Sequence, residues 1–211
     1  MRRQELFTDP LNMVVCGVGG QGNVLASRLI GRSLARQGYK VTIGETYGLS
    51  QRGGAVMSHV RVSMRRTCGP LIPLGCAHII LGLEPMETLR ILGNYGNPQV
   101  ATITNTRPIL PVTVGMGITE YPDDEQLRKA ISQLSGRVWF LDASKLALEL
   151  GAGRLLNMVM MGALTGLALL PITDTQFEKV LRERFPGDKV TLNLQAFRMG
   201  LSYMQEAISS A

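Results

Sequence analysis

Gly17, Val18, Gly19, Gly20, Gln21 and Gly22 make a G-x-G-x-x-G run, set between an apolar strand and a helix, the context in which such a run can hold an anion. Each glycine of the pattern has a physical task. The first permits a tight turn, the second lets a pyrophosphate approach the backbone, and the third lets the helix pack on the strand. Backbone N–H groups at the helix start would face a phosphate. Glu45 follows Gly22 by about 20 residues, where a ribose-binding carboxylate belongs. On these residues alone two readings stand level. One is an NAD- or FAD-binding turn; the other is a strand-to-helix turn that keeps its geometry and binds no dinucleotide.

A second concentration of chemistry follows. From Glu45 the chain reads Glu-Thr-Tyr-Gly-Leu-Ser-Gln-Arg-Gly-Gly, so Ser50, Gln51 and Arg52 bring a hydroxyl, an amide and a guanidinium beside Gly53 and Gly54. This loop leaves the carboxyl end of the second strand, the edge where open α/β sheets bind ligands. Arg52 offers a planar fork for a phosphate or a carboxylate. The two histidines have no such company. His59 sits among Val60 and Arg61 on a strand and reads as a structural or interface residue; His78 precedes a buried strand with no second ligand nearby, so no metal role is expected. No catalytic residue is assigned to this chain.

The elements that must position these groups are legible from periodicity. Met13–Cys16 is a continuous apolar run, as a central parallel strand requires. Leu25, Leu29, Ile30 and Leu34 mark a helix closed by Gly38, and Val41–Ile43 a second strand, so the opening reads as a βαβ unit. Further strands are expected at Val56–Val62, Ile79–Leu81, Val100–Thr104 and Val138–Leu141. Helices are expected from Pro85 to Leu92, Pro122 to Leu134 and Ser144 to Leu150. The stretch from Asn105 to Val114, with two prolines, reads as an extended or turning connection. Leu155–Leu170, Thr173–Phe185 and Val190–Ser209 are all helical in pattern, the second opening on a capping box, Thr173 and Gln176. The fold class is α/β: a Rossmann-like doubly wound, mostly parallel sheet over residues 1–150, then C-terminal helices over 151–211. Met158, Met160 and Met161 read as core or interface filling, and Gly162–Gly166 as a site of close helix approach. Leu155, Leu156, Met158, Met161, Leu164 and Leu167 carry more apolar surface than a small sheet should need, so part of it is expected to bury against a partner chain.

Composition limits the function classes. The net charge of +6 favours anionic partners in general, but no basic stripe alternates with aromatics, so nucleic acid is not expected. The three cysteines form no CxxC pair, a reduced-compartment pattern. They fall short of the four thiolates of a four-iron cluster, so the isolated chain is expected to be free of iron. No apolar leader opens the chain, and Leu155–Leu170 is short of the roughly 20 residues of a bilayer span. A cytoplasmic protein is expected.

The glycine run, followed by Ser50-Gln51-Arg52-Gly53-Gly54 and Ser58-His59-Val60-Arg61, resembles the gamma-type module of 2-oxoacid:ferredoxin oxidoreductases. Pro70–Pro73, Leu83–Pro85, Asn105–Pro108, Asp142-Ala143, Asn157–Leu164 and Asn193–Phe197 extend the likeness in order along nearly the whole chain. Within the superfamily it is most similar to the beta subunits of indolepyruvate:ferredoxin oxidoreductases. The resemblance implies one gamma-type domain over residues 1–211. It implies a larger partner subunit holding thiamine diphosphate, magnesium and four-iron four-sulfur clusters, with no cofactor bound by this chain alone. The reaction implied is the CoA-dependent oxidative decarboxylation of a 2-oxoacid, such as an aryl pyruvate, to acyl-CoA and CO2, with ferredoxin reduced through the partner. The glycine turn and the Ser50–Gly54 loop are then the residues expected to contact CoA phosphates or the partner. An NAD- or FAD-binding module and a purely structural subunit remain the alternatives.

Overall fold

In the computed structural model, which describes residues 4–47 and 54–209, the first strand, β1 (Leu11–Val18), is buried at every position. An unbroken apolar run of this kind suits a strand covered on both faces. β1 lies inside a six-stranded sheet of order β2-β3-β1-β4-β5-β6, where β2 is Lys40–Tyr47, β3 Ala55–Ser63, β4 Ile79–Gly82, β5 Ala101–Asn105 and β6 Arg137–Leu141. β1, β4, β5 and β6 run parallel, and β3 runs antiparallel to both β1 and β2. The mostly parallel α/β sheet is as expected.

Its first unit is the expected βαβ crossover, with one strand set inside it. Helix α1 (Asn23–Ala35) leads from β1 to β2, but β3 inserts between the two strands, so they never pair. The length of the β2–β3 connection accounts for the antiparallel pairing of those two strands. A short link between β2 and β3 suits an antiparallel pair, whereas a parallel pair needs a crossover of a dozen residues or more. β2 also runs through Thr46 and Tyr47, which the residue types had placed in the loop.

Alternate side chains divide the core. Leu11, Met13 and Val15 of β1 join Val60 and Val62 in a cluster with α1 and the C-terminal helices. Val14 and Cys16 face the other way with Ile80, Ile91 and Ile131, beneath α2 (Pro85–Tyr95) and α4 (Asp124–Gln133). No helix covers β2 and β3 on that second side. The irregular segment 64–78 does so instead, held by polar contacts. Arg61 donates to the carbonyls of Gly69 and Leu71, both at 3.1 Å, and to Asn12 Oδ1 at 3.1 Å. His59 Nδ1 accepts from Ile72 N–H at 3.3 Å, and Thr42 donates to the Cys68 carbonyl at 3.0 Å. His59 is thus a structural residue, as its position suggested. The connection after β5, expected to be extended or turning, takes a single turn at Val112–Gly115, α3.

The C-terminal helices are α5 (Ala143–Glu149), α6 (Leu156–Gly166), α7 (Asp174–Arg184) and α8 (Asp188–Ser209). α7 opens on the expected Thr173–Gln176 capping box. α6 is the hydrophobic centre of the group, and the expectation that its apolar residues face a partner does not hold. Leu155, Leu156, Met158, Met161 and Leu164 are all buried within the chain, and Leu167 is partly so. A helix apolar all round is a buried helix; here the sheet covers one side and α8 the other. The α6–α8 crossing depends on glycine. A methyl group at Gly162 would land on the Phe197 carbonyl, and one at Gly200 on that of Val159. Beside the crossing, the Phe177 and Phe197 rings stack with centroids 4.2 Å apart. Among the described residues no helix is long and apolar enough to cross a membrane.

Candidate functional site

β1 delivers the glycine run to the carboxyl edge of the parallel strands, at the point where the strand order reverses. Open α/β sheets bind ligands in that crevice. The turn is held by the protein's own polar groups. Gln21 Oε1 accepts from Val18 N–H at 2.7 Å, and Gln21 Nε2 donates to the Leu83 carbonyl at 2.8 Å. Asn23 Nδ2 donates to the Val18 carbonyl at 3.1 Å. Gly22 is the N-cap of α1 with φ 87°, a left-handed conformation that side chains resist, and a methyl there would strike Asn157 of α6. Gly19 donates its N–H to the Gly54 carbonyl at 2.8 Å. Gly20 faces open space.

The predicted site residues therefore divide. Gln21 is a strut that shapes the turn, while Gly19 and Gly20 border a cavity. Ser50, Gln51, Arg52 and Gly53 lie outside the described residues. Their flanks are described: β2 ends at Tyr47 on the same sheet edge, and Gly54 is bonded to Gly19.

The cavity holds about 410 Å³, inside the range of small-molecule pockets. Gly19, Gly20 and Gln21 form one wall; Arg107, Pro108 and Ile109, leaving β5, form another. Ser144 and Leu148 of α5, Gly153 and Arg154 of the 3-10 turn Gly153–Leu155, and Leu156 complete it. Asn105, fully buried at the end of β5, ties these walls together. Its Nδ2 lies 3.1 Å from the Leu83 carbonyl, 3.2 Å from the Arg107 carbonyl and 3.1 Å from Ser144 Oγ. The Leu83 carbonyl thus serves both the Gln21 strut and the Asn105 tie. Arg107 and Arg154 are exposed, and among the described residues neither has an acidic partner. Two guanidiniums, a hydroxyl and a glycine turn around one cavity give it the chemistry to receive an anionic ligand.

These arginines were missed as site residues. Arg107 carried a usable signal, since it follows a buried strand at its carboxyl end. Arg154 carried none; it reaches the cavity only because α5 and the 3-10 turn pack against each other and against α6.

Glu45 does not take the ribose role that its spacing suggested. Its two carboxylate oxygens accept from Arg28 of α1 at 2.9 and 3.0 Å. With both oxygens engaged by one guanidinium fork, the dinucleotide reading loses its acidic partner.

Next to the cavity stands a buried carboxylate. Glu84 caps α2, its Oε2 accepting from Glu87 N–H at 2.8 Å. Its Oε1 accepts from the Tyr121 hydroxyl at 2.5 Å and from Ile109 N–H at 3.3 Å. Burial first, and then this bond to Glu84, push the Tyr121 phenol well above its ordinary value. Burial also raises Glu87, against the pull of Arg90, and holds the Cys16 thiol protonated. His78 Nδ1 accepts from Asn12 N–H at 2.9 Å. Among the described residues no group of three or more His, Cys, Asp or Glu could hold a metal ion. With three cysteines, of which Cys16 is sealed in the sheet, the chain does not fit an iron–sulfur cluster of its own.

Residues 12–203 match the family model described as pyruvate ferredoxin/flavodoxin oxidoreductase. The chain is 38% identical over 198 residues to indolepyruvate oxidoreductase subunit IorB of Thermococcus kodakarensis, covering 93% of this chain and 97% of the relative. Its fold matches the gamma subunit of a keto/oxoacid ferredoxin oxidoreductase from Geobacter sulfurreducens at TM-score 0.67 and 20% identity, over 93% of this chain and 99% of that one. It also matches 2-oxoglutarate:ferredoxin oxidoreductase from Magnetococcus marinus, solved with 2-oxoglutarate, coenzyme A and succinyl-CoA bound, at TM-score 0.75 and 22% identity. That match covers 97% of this chain and 32% of the other.

Proposed function

The chain belongs to the pyruvate ferredoxin/flavodoxin oxidoreductase family, and from that premise we propose that it forms the coenzyme A side of an aryl-pyruvate:ferredoxin oxidoreductase. It is the small subunit of a multi-subunit 2-oxoacid:ferredoxin oxidoreductase with larger partner subunits. The finer reading is a single gamma-type unit over residues 1–211 that flanks the active site of its larger partner. Thiamine diphosphate with magnesium, and the four-iron four-sulfur clusters that pass electrons to ferredoxin, belong to that partner and supply the decarboxylation and oxidation. The substrate is an aryl pyruvate such as indolepyruvate, in keeping with the name of the relatives at 38% identity.

The observation that carries this reading is the cavity at the carboxyl edge, with Arg107, Arg154 and Ser144 facing the Gly19–Gly20 turn. Coenzyme A is a multiply charged phosphate ester. Its phosphates suit two guanidiniums without acidic partners, and Arg52, which lies outside the described residues, is a further candidate contact by its side-chain chemistry. Bound there, the cofactor's thiol end is left to reach the partner's reacting carbon, while this chain holds the charged end and performs no proton transfer. The net charge of +6 draws such an anion towards the subunit. Reconstitution tests the reading. The purified chain mixed with its larger subunit should restore CoA-dependent ferredoxin reduction, with kcat/KM for indolepyruvate well above that for pyruvate. A complex equally active without this chain, or one that prefers pyruvate, overturns it.

A further inference from the structure

Between Arg107 and Glu120 the chain carries no charged residue, yet the segment is exposed almost throughout. Ile109, Leu110, Val112, Met116 and Ile118 stand out of it, Val112 at 73% and Met116 and Ile118 at 68% exposure. An exposed stretch with this many large apolar side chains and no charge marks a contact surface.

It is also a built object. Both its ends are bonded to one buried oxygen, since Glu84 Oε1 accepts from Ile109 N–H and from the Tyr121 hydroxyl. Between those ends the segment bonds to itself, through the α3 turn, through Ile118 N–H to the Thr113 carbonyl at 2.9 Å, and through the Thr119 and Thr113 hydroxyls at 3.0 Å. The result is a compact arm whose apolar residues stand exposed, with nothing among the described residues to cover.

Its position decides what covers it. Arg107, Pro108 and Ile109 are at once the root of the arm and a wall of the anion cavity. Any chain that brings reacting atoms to that cavity must lie against the arm. We infer that the arm 109–118 is the docking element for the larger, thiamine-bearing subunit, and that Glu84 is the positioning residue that presents it. This rests on the functional reading above. The occupant is an apolar surface of that subunit bordering its active site, and docking closes the cavity mouth over the bound phosphates.

The test is the affinity of the full-length chain for the purified larger subunit, with Met116→Asp/Ile118→Asp compared against Leu74→Asp. Leu74 is 71% exposed and precedes β4, at the opposite edge of the sheet. The arm variant should keep the wild-type melting temperature on its own and bind the larger subunit about tenfold more weakly or worse, while Leu74→Asp binds as wild type. Undiminished binding by the arm variant overturns the inference, as does equal loss in Leu74→Asp. A lone wild-type chain that dimerises through the arm, and loses only that dimer in the variant, overturns it too, in favour of a second copy. Failure of the wild-type chain itself to bind the larger subunit would instead sink the functional reading on which the inference rests.

Discussion

Replacing Glu84 with glutamine tests whether one buried carboxylate organises both α2 and the arm. Its two oxygens take three donors, Glu87 N–H, the Tyr121 hydroxyl and Ile109 N–H, and the side chain is only 1% exposed. An amide has one acceptor oxygen. If its Nε2 turns towards Glu87, the helix loses its cap, at about 1 kcal/mol, and the loss of negative charge at the N-terminus removes about 0.3–1 kcal/mol more. The Tyr121 bond falls from charge-assisted to neutral, about another 1 kcal/mol. The sum is about 2–3 kcal/mol, which for a chain of this size lowers the melting temperature by roughly 5–10 °C. Thermal melts of the isolated subunit measure it. Alkaline absorbance titration gives a second signature: in the wild type the Tyr121 phenol stays protonated above its ordinary value, and in Glu84→Gln it returns part of the way, because burial remains. A melting temperature within about 2 °C of wild type, with the tyrosine titration unchanged, refutes the clamp.

Two further outcomes follow from the packing and the histidines. Gly162→Ala should destabilise the chain by about 1–3 kcal/mol in urea unfolding, because the methyl meets the Phe197 carbonyl and overpacking outweighs the helix-propensity gain; a neutral or stabilising change contradicts the close crossing. His59 and His78 are both held below the ordinary 6.5, by burial in each case and by the Arg61 charge at His59. Their folded values are depressed, so their contribution to stability is present above pH 6.5 and lost as the pH falls below it. Each group adds a slope of at most about 1.4 kcal/mol per pH unit. His59→Asn/His78→Asn should therefore lose less stability than wild type between pH 7 and pH 5, and an equal loss in both proteins would show that other groups govern the acid limb.

What could be read in advance followed from how local each feature is. β1 and β4 declared themselves because a strand buried on both faces needs an unbroken apolar run, and the glycine turn because strand, turn and helix are contiguous. The α7 cap was legible in two residues three apart. The place of β3 was not, since alternation marks a strand but not its neighbour; only the sheet shows that it separates β1 from β2. The apolar α6 was read correctly as a helix and wrongly as a partner surface, because its sequence cannot say that α8 returns to cover it through Gly162 and Gly200. Arg107 and Arg154 belong to different connections, and only the packing of α5 and the 3-10 turn against α6 brings them to one cavity. Glu45 had the right spacing for a ribose; the guanidinium that occupies it comes from α1.

The most direct test of the account is the CoA dependence of the reconstituted enzyme with Arg107→Ala, Arg154→Ala and the double variant. Each guanidinium is exposed, so its contact with a phosphate is worth about 1 kcal/mol rather than the larger figure of a buried pair. The double variant should therefore raise KM for CoA by about tenfold or more, with kcat, KM for the 2-oxoacid and assembly with the larger subunit unchanged. Unaltered CoA kinetics in a fully assembled double variant would contradict the claim that this cavity holds the coenzyme.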